Sequence, residues 1–460
     1  MSDQPHAAGR EVPAGAAAAQ DGVPAVPRRH LGVRHAMSVC VGMVIGAGIF
    51  RTSPNVAGNL MHSAPLFAAW AAGGVLSLLG ALCFAEMAAA FPNAGGDYSF
   101  LARAYGRRVA LFFAWSRFAV IHTGSMALLA FVFGDYLSQL INFGPWTSPV
   151  FGSIVVVTLI WVNLRGIHLG VGTQLGLMTL VLFGLSCVVL GGLWQWLHGV
   201  PPLTDLAASA APADRTSFGT AMVFVLLAYG GWSDAATLSA EMRDERRGIV
   251  LALIGGMSIV AVLYLGANWG YVRVLGLDGL AASQAPAADV MRIAFGRPGE
   301  ILIVFTVATA SVSVMNALLI VGARTTFAAA RDLARLPHLG QWDVRRGTPA
   351  HAMVAMGFMA LLLIGFGSLT RGGFATMVDY LAPVYWFFLS LSGVAVMVLR
   401  WRYPGTPRPF RVPGYPVTPV LFVLSSLYTL YASLAYVQVG ALVGVGVLAL
   451  GGLLLLFERR

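Results

Sequence analysis

Long apolar segments alternate with short polar segments along nearly the whole chain. Each apolar segment has about 20 residues, which is the length that an α-helix needs to cross a bilayer. We predict twelve membrane-spanning helices, over approximately residues 34–61, 65–90, 108–138, 149–163, 170–194, 217–240, 248–271, 299–328, 352–369, 374–400, 417–436 and 440–457. The pattern therefore predicts an all-α membrane protein.

Two of these apolar segments contain glycines where a continuous helix would be weak. The first segment contains Gly46, Ala47 and Gly48, and the sixth contains Gly230 and Gly231. Glycine costs a helix interior about 1 kcal/mol relative to alanine, so we predict that both helices are interrupted. Close helix packing through small residues is the alternative interpretation. The spacing of the breaks gives the two halves opposite orientations, which is typical of a transporter with a site at the midplane.

Interrupted helices expose main-chain groups that can bind a ligand. Irregular backbone at membrane depth is tolerated where it is buried in protein or lines a wet cavity. One half-helix presents amide N–H groups at its start, and the other presents carbonyls at its end. Such groups match the carboxylate and the ammonium of an α-amino acid. A polyamine fits less well, because it has no carboxylate for the N–H groups.

Composition and charge agree with a membrane protein. The chain is 58% hydrophobic and 10% charged, with a mean hydropathy of +0.77, whereas soluble domains have about 25% charged residues. Most arginines fall on one side of the predicted helices, which predicts that both termini are cytoplasmic. The net charge of +10 is therefore not a sign of nucleic-acid binding. Residues 1–32 are expected to form a disordered cytoplasmic tail.

A few polar residues inside the apolar segments are candidates for function. Arg117 and His122 are five positions apart, so we predict that they do not share one helical face. His122 is a candidate for proton coupling, because histidine titrates near neutral pH, or it is a core side chain. Ser233 and Asp234 are N-cap residue types, and contact with a charged substrate is the alternative for Asp234. Pro54 is predicted at the start of the resumed first helix.

Five sequence motifs occur in order along the chain. They are Gly46-Ala47-Gly48-Ile49-Phe50, Phe84-Ala85-Glu86-Met87 with residues 92–98, Tyr229-Gly230-Gly231-Trp232 with Glu241-Met242, Ala329-Ala330-Arg331-Asp332 with Leu336-Pro337, and residues 408–416. Together they resemble the amino acid–polyamine–organocation (APC) superfamily, and the third resembles its L-type amino acid transporter branch. The resemblance implies twelve transmembrane helices, namely a five-plus-five inverted repeat with discontinuous helices 1 and 6 plus two extra helices. The corresponding segments are 33–215, 216–400 and 401–460.

The resemblance also implies the positions of a binding site. It places the substrate carboxylate at the N–H groups around residues 46–48 and the ammonium at the carbonyls of Val44, Leu227 and Gly230. Trp232 and Leu227 would border the side-chain pocket. The expected substrate-binding set is Val44, Ile45, Gly46, Ala47, Gly48, Leu227, Ala228, Gly230, Trp232, Ser233 and Asp234.

Three positions depart from the residues common in the superfamily. Ala47 stands where many relatives have serine, and Leu227 stands where an aromatic residue is common. Val181 occupies a position at which many relatives have a lysine that stands in for a sodium ion. His122 and Val181 are therefore the candidate positions for the coupling of transport to an ion.

The sequence predicts a secondary-active permease in the cell inner membrane that moves an α-amino acid by alternating access. A neutral substrate is expected, because only Asp234 places a charge beside the breaks. The alternatives are a cationic amino acid or polyamine exchanger, or an amino acid sensor that does not transport. The expected partners are the substrate, the lipid bilayer, and a proton or a counter-substrate. We expect no enzyme activity, cofactor, metal or nucleic acid.

Overall fold

Helices account for most of the described chain. The computed structural model describes residues 32–46, 48–60, 62–92, 96–166, 171–202, 217–236, 248–331, 338–343, 348–370, 372–435 and 439–456. Several predicted features lie outside these ranges. They are the tail up to residue 31, Ala47 of the first break, residues 93–95 of the second motif, Glu241 and Met242 of the third, and Asp332, Leu336 and Pro337 of the fourth.

The helices follow the predicted apolar segments closely. They are α1 (Val33–Val44), α2 (Ile49–Gly58), α3 (Ser63–Ala90), α4 (Asp97–Tyr105), α5 (Arg107–Ser116), a π-helix (Arg117–His122), α6 (Thr123–Leu137), α7 (Thr147–Leu164), α8 (Val171–Leu197), α9 (Phe218–Ala228), α10 (Trp232–Ala235), α11 (Gly248–Ala282), α12 (Pro286–Arg331), α13 (Ala350–Ser368), α14 (Gly373–Arg402), α15 (Val417–Ala435) and α16 (Val439–Leu456). Within the described ranges, nine helices are long and apolar enough to cross a membrane, or ten if α1 and α2 count as one bent span.

The long helix α11 packs against several neighbouring helices. It packs against α1, α3 and α8, so it contacts the first interrupted helix and much of the surrounding bundle. Its contact with α8 is close because both helices have glycine there. A Cβ on Gly192 would lie 2.8 Å from the Cα of Gly270, and a Cβ on Gly270 would lie 2.8 Å from the carbonyl oxygen of Val188. Small residues thus allow the close backbone approach that is common between helices in membranes.

Pro54 lies inside α2 and not at its start, so this prediction was wrong. The helix begins at Ile49, because the break ends earlier than the proline suggests. Proline lacks the N–H that would bond to the carbonyl four residues earlier, which belongs to Phe50. The buried hydroxyl of Tyr136 donates to this carbonyl over 2.8 Å. The partner from α6 thereby satisfies the acceptor that the proline leaves open.

A buried ionic cluster fixes one end of the bundle. Glu86, near the end of α3, accepts from the Nε of Arg400 over 2.7 Å and pairs with Arg408 at 3.4 Å. The amide of Val412 donates to the same carboxylate over 2.7 Å. The guanidinium of Arg400 also lies 3.8 Å from the ring centre of Tyr415. Two of the sequence motifs, in α3 and at residues 408–416, therefore meet here and join α3, α14 and the segment before α15.

Candidate functional site

The first break separates α1 from α2 and leaves main-chain donors free. Helix α1 ends at Val44, α2 begins at Ile49, and their axes differ by 43°. The amides of Gly46 and Gly48 make no hydrogen bond to another described residue. The first N–H groups of a helix have no partner inside the helix and carry a partial positive charge. The start of α2 is therefore a suitable site for an anionic group.

The second break separates α9 from α10 and depends on Gly231. This glycine has a φ of +97°, a left-handed conformation that other residues adopt at a cost. It also lies against the first break, because a Cβ on Gly231 would lie 2.5 Å from the carbonyl oxygen of Met43. On the other side, a Cβ on Gly48 would lie 3.6 Å from the Cα of Ala228. The two interruptions are thus in direct main-chain contact.

Tyr264 on α11 joins the two breaks. Its buried hydroxyl donates a shared hydrogen bond to the carbonyl of Val44, over 2.9 Å, and to that of Ala228, over 3.1 Å. The rings of Trp70 and Tyr229 lie 5.6 and 4.9 Å from its ring, centre to centre. The hydroxyl therefore provides a partner for the last carbonyl of each interrupted helix, and the aromatic cluster fixes its position.

A cavity of about 160 Å³ lies between the two breaks. Main-chain groups of both interruptions form one side of it, and α6, α12 and α14 form the other. The side chains on that other side are mostly apolar, and the polar exceptions among them are His122, Ser125 and Tyr385. An engineered apolar cavity of about 150 Å³ can contain benzene, so this cavity is large enough for a small organic molecule. The cavity thus lies where α1 and α9 end and where α2 and α10 begin.

Arg117 and His122 contact each other, which corrects the prediction from their spacing. Residues 117–122 form a π-helix, in which positions five apart face each other. The Nε of Arg117 donates to the Nε2 of His122 over 3.0 Å. Arg117 also donates to the carboxylate of Asp234. An irregular turn in the third span thus joins a buried cation to the second break.

Asp234 does not cap the resumed helix, so the prediction of an N-cap role was wrong. Gly231 occupies the N-cap position, and no side chain caps the helix there. Asp234 lies inside α10, where its carboxylate lines the cavity and pairs with Arg117. The charge of Asp234 is therefore already compensated by a neighbouring guanidinium.

Most of the predicted site residues meet at the cavity, and three lie elsewhere. The residues that line it are Val44, Gly46, Gly48, His122, Leu227, Ala228, Gly230 and Asp234. Trp232 instead packs against Phe84, with ring centres 5.0 Å apart. Ser233 bonds to Tyr385 beside a smaller adjoining cavity. Ile45 faces α8, and so the site does not include every residue of the two motifs.

Val181 lies in a narrow gap between α1, α8 and α12. The other residues of this gap include Gly42, Ile45 and Ser313, and none of the described lining residues is charged. Val181 thus faces α1 in apolar surroundings. Nothing among the described residues of this gap replaces the missing positive charge.

Several residues that line the cavity or contact the two breaks were not predicted from the sequence. Tyr264 and Tyr385 are tyrosines within long apolar helices, and Ser125 is one small polar residue in α6. The residues from α12, such as Val314 and Leu318, have the same apolar character as residues that face lipid. Only the polarity of Ser125, Tyr264 and Tyr385 within apolar segments could have indicated them.

The chain is similar to known proteins along most of its length. A family model described as "Amino acid permease" matches residues 31–454. The chain is 29% identical to the human b(0,+)-type amino acid transporter 1 over 413 residues, which are 88% of this chain and 82% of that protein. It is 26% identical to the serine/threonine exchanger SteT of Bacillus subtilis (strain 168), covering 88% and 91% of the two chains. It is also 26% identical to the human large neutral amino acids transporter small subunit 2, covering 98% and 84%.

Proposed function

Because this chain belongs to the amino acid permease family, we propose that it carries a neutral α-amino acid across the cell inner membrane by alternating access. The observation on which this proposal depends is the cavity between two interrupted helices that touch each other. The free amides at the start of α2 suit the substrate carboxylate. The carbonyl of Gly230, at the second break, suits the ammonium of the substrate.

The donors and acceptors of the two breaks differ in availability. The carbonyls of Val44 and Ala228 already accept from Tyr264, and that of Leu227 accepts from the amide of Gly230 over 3.0 Å. The amides of Gly46 and Gly48 make no hydrogen bond to another described residue. We therefore assign the larger part of the binding energy to the carboxylate end of the substrate, with the carbonyl of Gly230 as the acceptor for the ammonium.

The charge around the cavity favours a neutral side chain. Apolar residues form most of the wall opposite the breaks, among them Leu128, Val314 and Leu318. Asp234 is the acidic residue at the cavity, and its ion pair with Arg117 leaves no net charge for a cationic substrate. The names of two relatives, a serine/threonine exchanger and a large neutral amino acids transporter subunit, agree with this assignment.

We propose the twelve-span inverted repeat as the architecture that performs this transport. With α1–α2, α5–α6 and α9–α10 each counted as one span, the helices from α1 to α16 other than α4 form twelve spans. The two interrupted spans are then the first and the sixth, as two inverted halves of five spans require. Both termini are assigned to the cytoplasm from the arginine distribution.

Counterflow in proteoliposomes tests this proposal. Vesicles loaded with one unlabelled amino acid should accumulate the same labelled amino acid, and a panel of neutral, cationic and acidic amino acids defines the substrate. A sensor would bind label without moving it. Preference for arginine or lysine would refute the assignment of a neutral substrate. Decarboxylated analogues should compete poorly, and equal competition by the amine would refute the carboxylate site at α2.

A further inference from the structure

A small second cavity adjoins the substrate cavity on the side of α4. It has a volume of about 30 Å³ and shares Ile121, Asp234 and Tyr385 with the larger cavity. A site of about 10–15 Å³ is enough for one water molecule. Arg117, Ser233 and Asp97 complete its polar lining. The second cavity thus connects the substrate site to a carboxylate that the transport site does not use.

Asp97 is buried without a full set of hydrogen bonds. It is the first residue of α4, which lies outside the candidate membrane spans. Its side chain lines the small cavity, the residue is 7% exposed, and its Oδ1 has no hydrogen-bond partner among the described residues. A buried carboxylate oxygen without a donor is costly. Protonation removes the charge, and a neutral carboxyl group costs less to bury than a carboxylate.

The charges of the described groups around Asp97 cancel, so an ionised Asp97 adds a charge that they do not balance. Arg117 and Asp234 form an ion pair, so their charges cancel. The Nε2 of His122 accepts a hydrogen bond from Arg117, so a proton added to that nitrogen would lie against the N–H of Arg117. Tyr385, from α14, presents a hydroxyl that bonds to Ser233. Among the described groups that face this cavity, the net charge is zero when Asp97 is protonated and −1 when it is ionised.

The electrostatic surroundings agree with a proton that binds near neutral pH. Burial raises the pKa of Asp97 to about 8, Arg117 opposes this increase, and Asp234 adds to it. At pH 7 most molecules therefore have a protonated Asp97, and the proton is lost as the pH rises through about 8.

We propose that Asp97 is the proton-binding site that couples transport to a pH gradient, an inference that rests on the proposed transport function. Asp97 and Asp234 both attract Arg117, and Asp234 belongs to the interrupted helix and to the wall of the substrate cavity. When Asp97 is ionised, it draws Arg117 away from Asp234. When Asp97 takes up a proton, Arg117 binds Asp234 alone and ties α10 to the third span. The proton is the only species gained or lost in this step.

Comparison of counterflow with gradient-driven uptake tests the coupling. Counterflow needs no net proton movement, whereas uphill uptake under a pH gradient requires a coupled proton. Wild-type vesicles should accumulate substrate up to about tenfold for each pH unit of gradient. Asp97→Asn should lose this accumulation and retain counterflow, and Asp97→Glu should recover accumulation with a shifted pH profile. Asp379→Asn alters a carboxyl group beside a separate small cavity and should behave like wild type in both assays.

The outcomes separate the two proposals. Absence of counterflow for every amino acid in wild type refutes the transport function itself. Counterflow without gradient-driven accumulation in wild type refutes proton coupling alone. Accumulation that persists in Asp97→Asn also refutes the assignment. Loss of both activities in Asp97→Asn, with Asp379→Asn active, shows a structural role for Asp97 and refutes it as well.

Discussion

Replacement of Gly231 by alanine tests whether the contact between the two helix breaks is essential. The substitution has two separate costs. A non-glycine residue in the left-handed conformation costs about 1–2 kcal/mol. In addition, the new Cβ would lie 2.5 Å from the carbonyl oxygen of Met43, whereas ordinary contacts begin at 3.4 Å. The backbone of the first break must therefore retreat by about 1 Å, which exceeds the tolerance of about 0.5 Å for a working site.

Gly144→Ala is the matched control for this prediction. Gly144 has a φ of +106° and lies in the connection between α6 and α7, with no atom within 4 Å of an added Cβ. It therefore has the same kind of conformational cost without displacement of a neighbour. We expect Gly144→Ala to lose only the stability that the left-handed conformation costs, and Gly231→Ala to lose more because of the additional clash with Met43. Only Gly231→Ala should lose substrate affinity, by about tenfold or more, which corresponds to about 1.4 kcal/mol.

Scanning fluorimetry of the purified variants measures their stability, and counterflow against substrate concentration measures their apparent affinity. Counterflow at the wild-type level in both Gly231→Ala and Gly144→Ala would refute the reasoning, because it would show that the first break tolerates the displacement. Counterflow impaired equally in both variants would also refute it, because it would show that backbone strain, and not the contact with Met43, governs transport.

Three further predictions concern stability. Tyr264→Phe should cost about 1–3 kcal/mol, because two buried carbonyls lose their donor, and an unchanged denaturation temperature would contradict the bridge between the breaks. Glu86→Gln should cost about 3 kcal/mol, because it leaves Arg400 without its anion; a variant as stable as wild type would refute this. The raised pKa of Asp97 means that the folded chain binds more protons than the unfolded chain between about pH 4 and 8. Stability should therefore fall as pH rises through this range and fall less in Asp97→Asn, and equal slopes would exclude Asp97 as the source.

The apolar pattern predicted the helices well because membrane spans must be long and continuous in hydrophobicity. It also predicted both breaks, since two closely spaced glycines weaken such a helix at one point. Cap positions were harder to predict. Proline and aspartate are residue types common at helix starts, but Pro54 and Asp234 both lie inside their helices. Neighbouring helices supply the partners there: Tyr136 donates to the carbonyl that Pro54 leaves open, and Arg117 donates to Asp234.

The contact between Arg117 and His122 could not be predicted, because the sequence gives no sign of a π-helix at residues 117–122. The residues of α12 that line the cavity could not be predicted either. Apolar residues such as Val314 are as typical of a surface that faces lipid as of a surface that faces a substrate. Trp232 shows the opposite error, because it was expected at the cavity and lies elsewhere. The resemblance to the superfamily implied that Trp232 borders the pocket, whereas its ring fills the space between α3 and α15.

The hydroxyl that Tyr264 shares between the two interruptions has a mechanical consequence. Because one group bonds to the last carbonyl of α1 and to that of α9, neither half-helix can slide away on its own without breaking that bond. The interrupted helices and α11 should rock as one rigid unit against α6 and α12. Entry and exit of cargo would then depend on the tilt of this unit and not on separate hinges at each glycine.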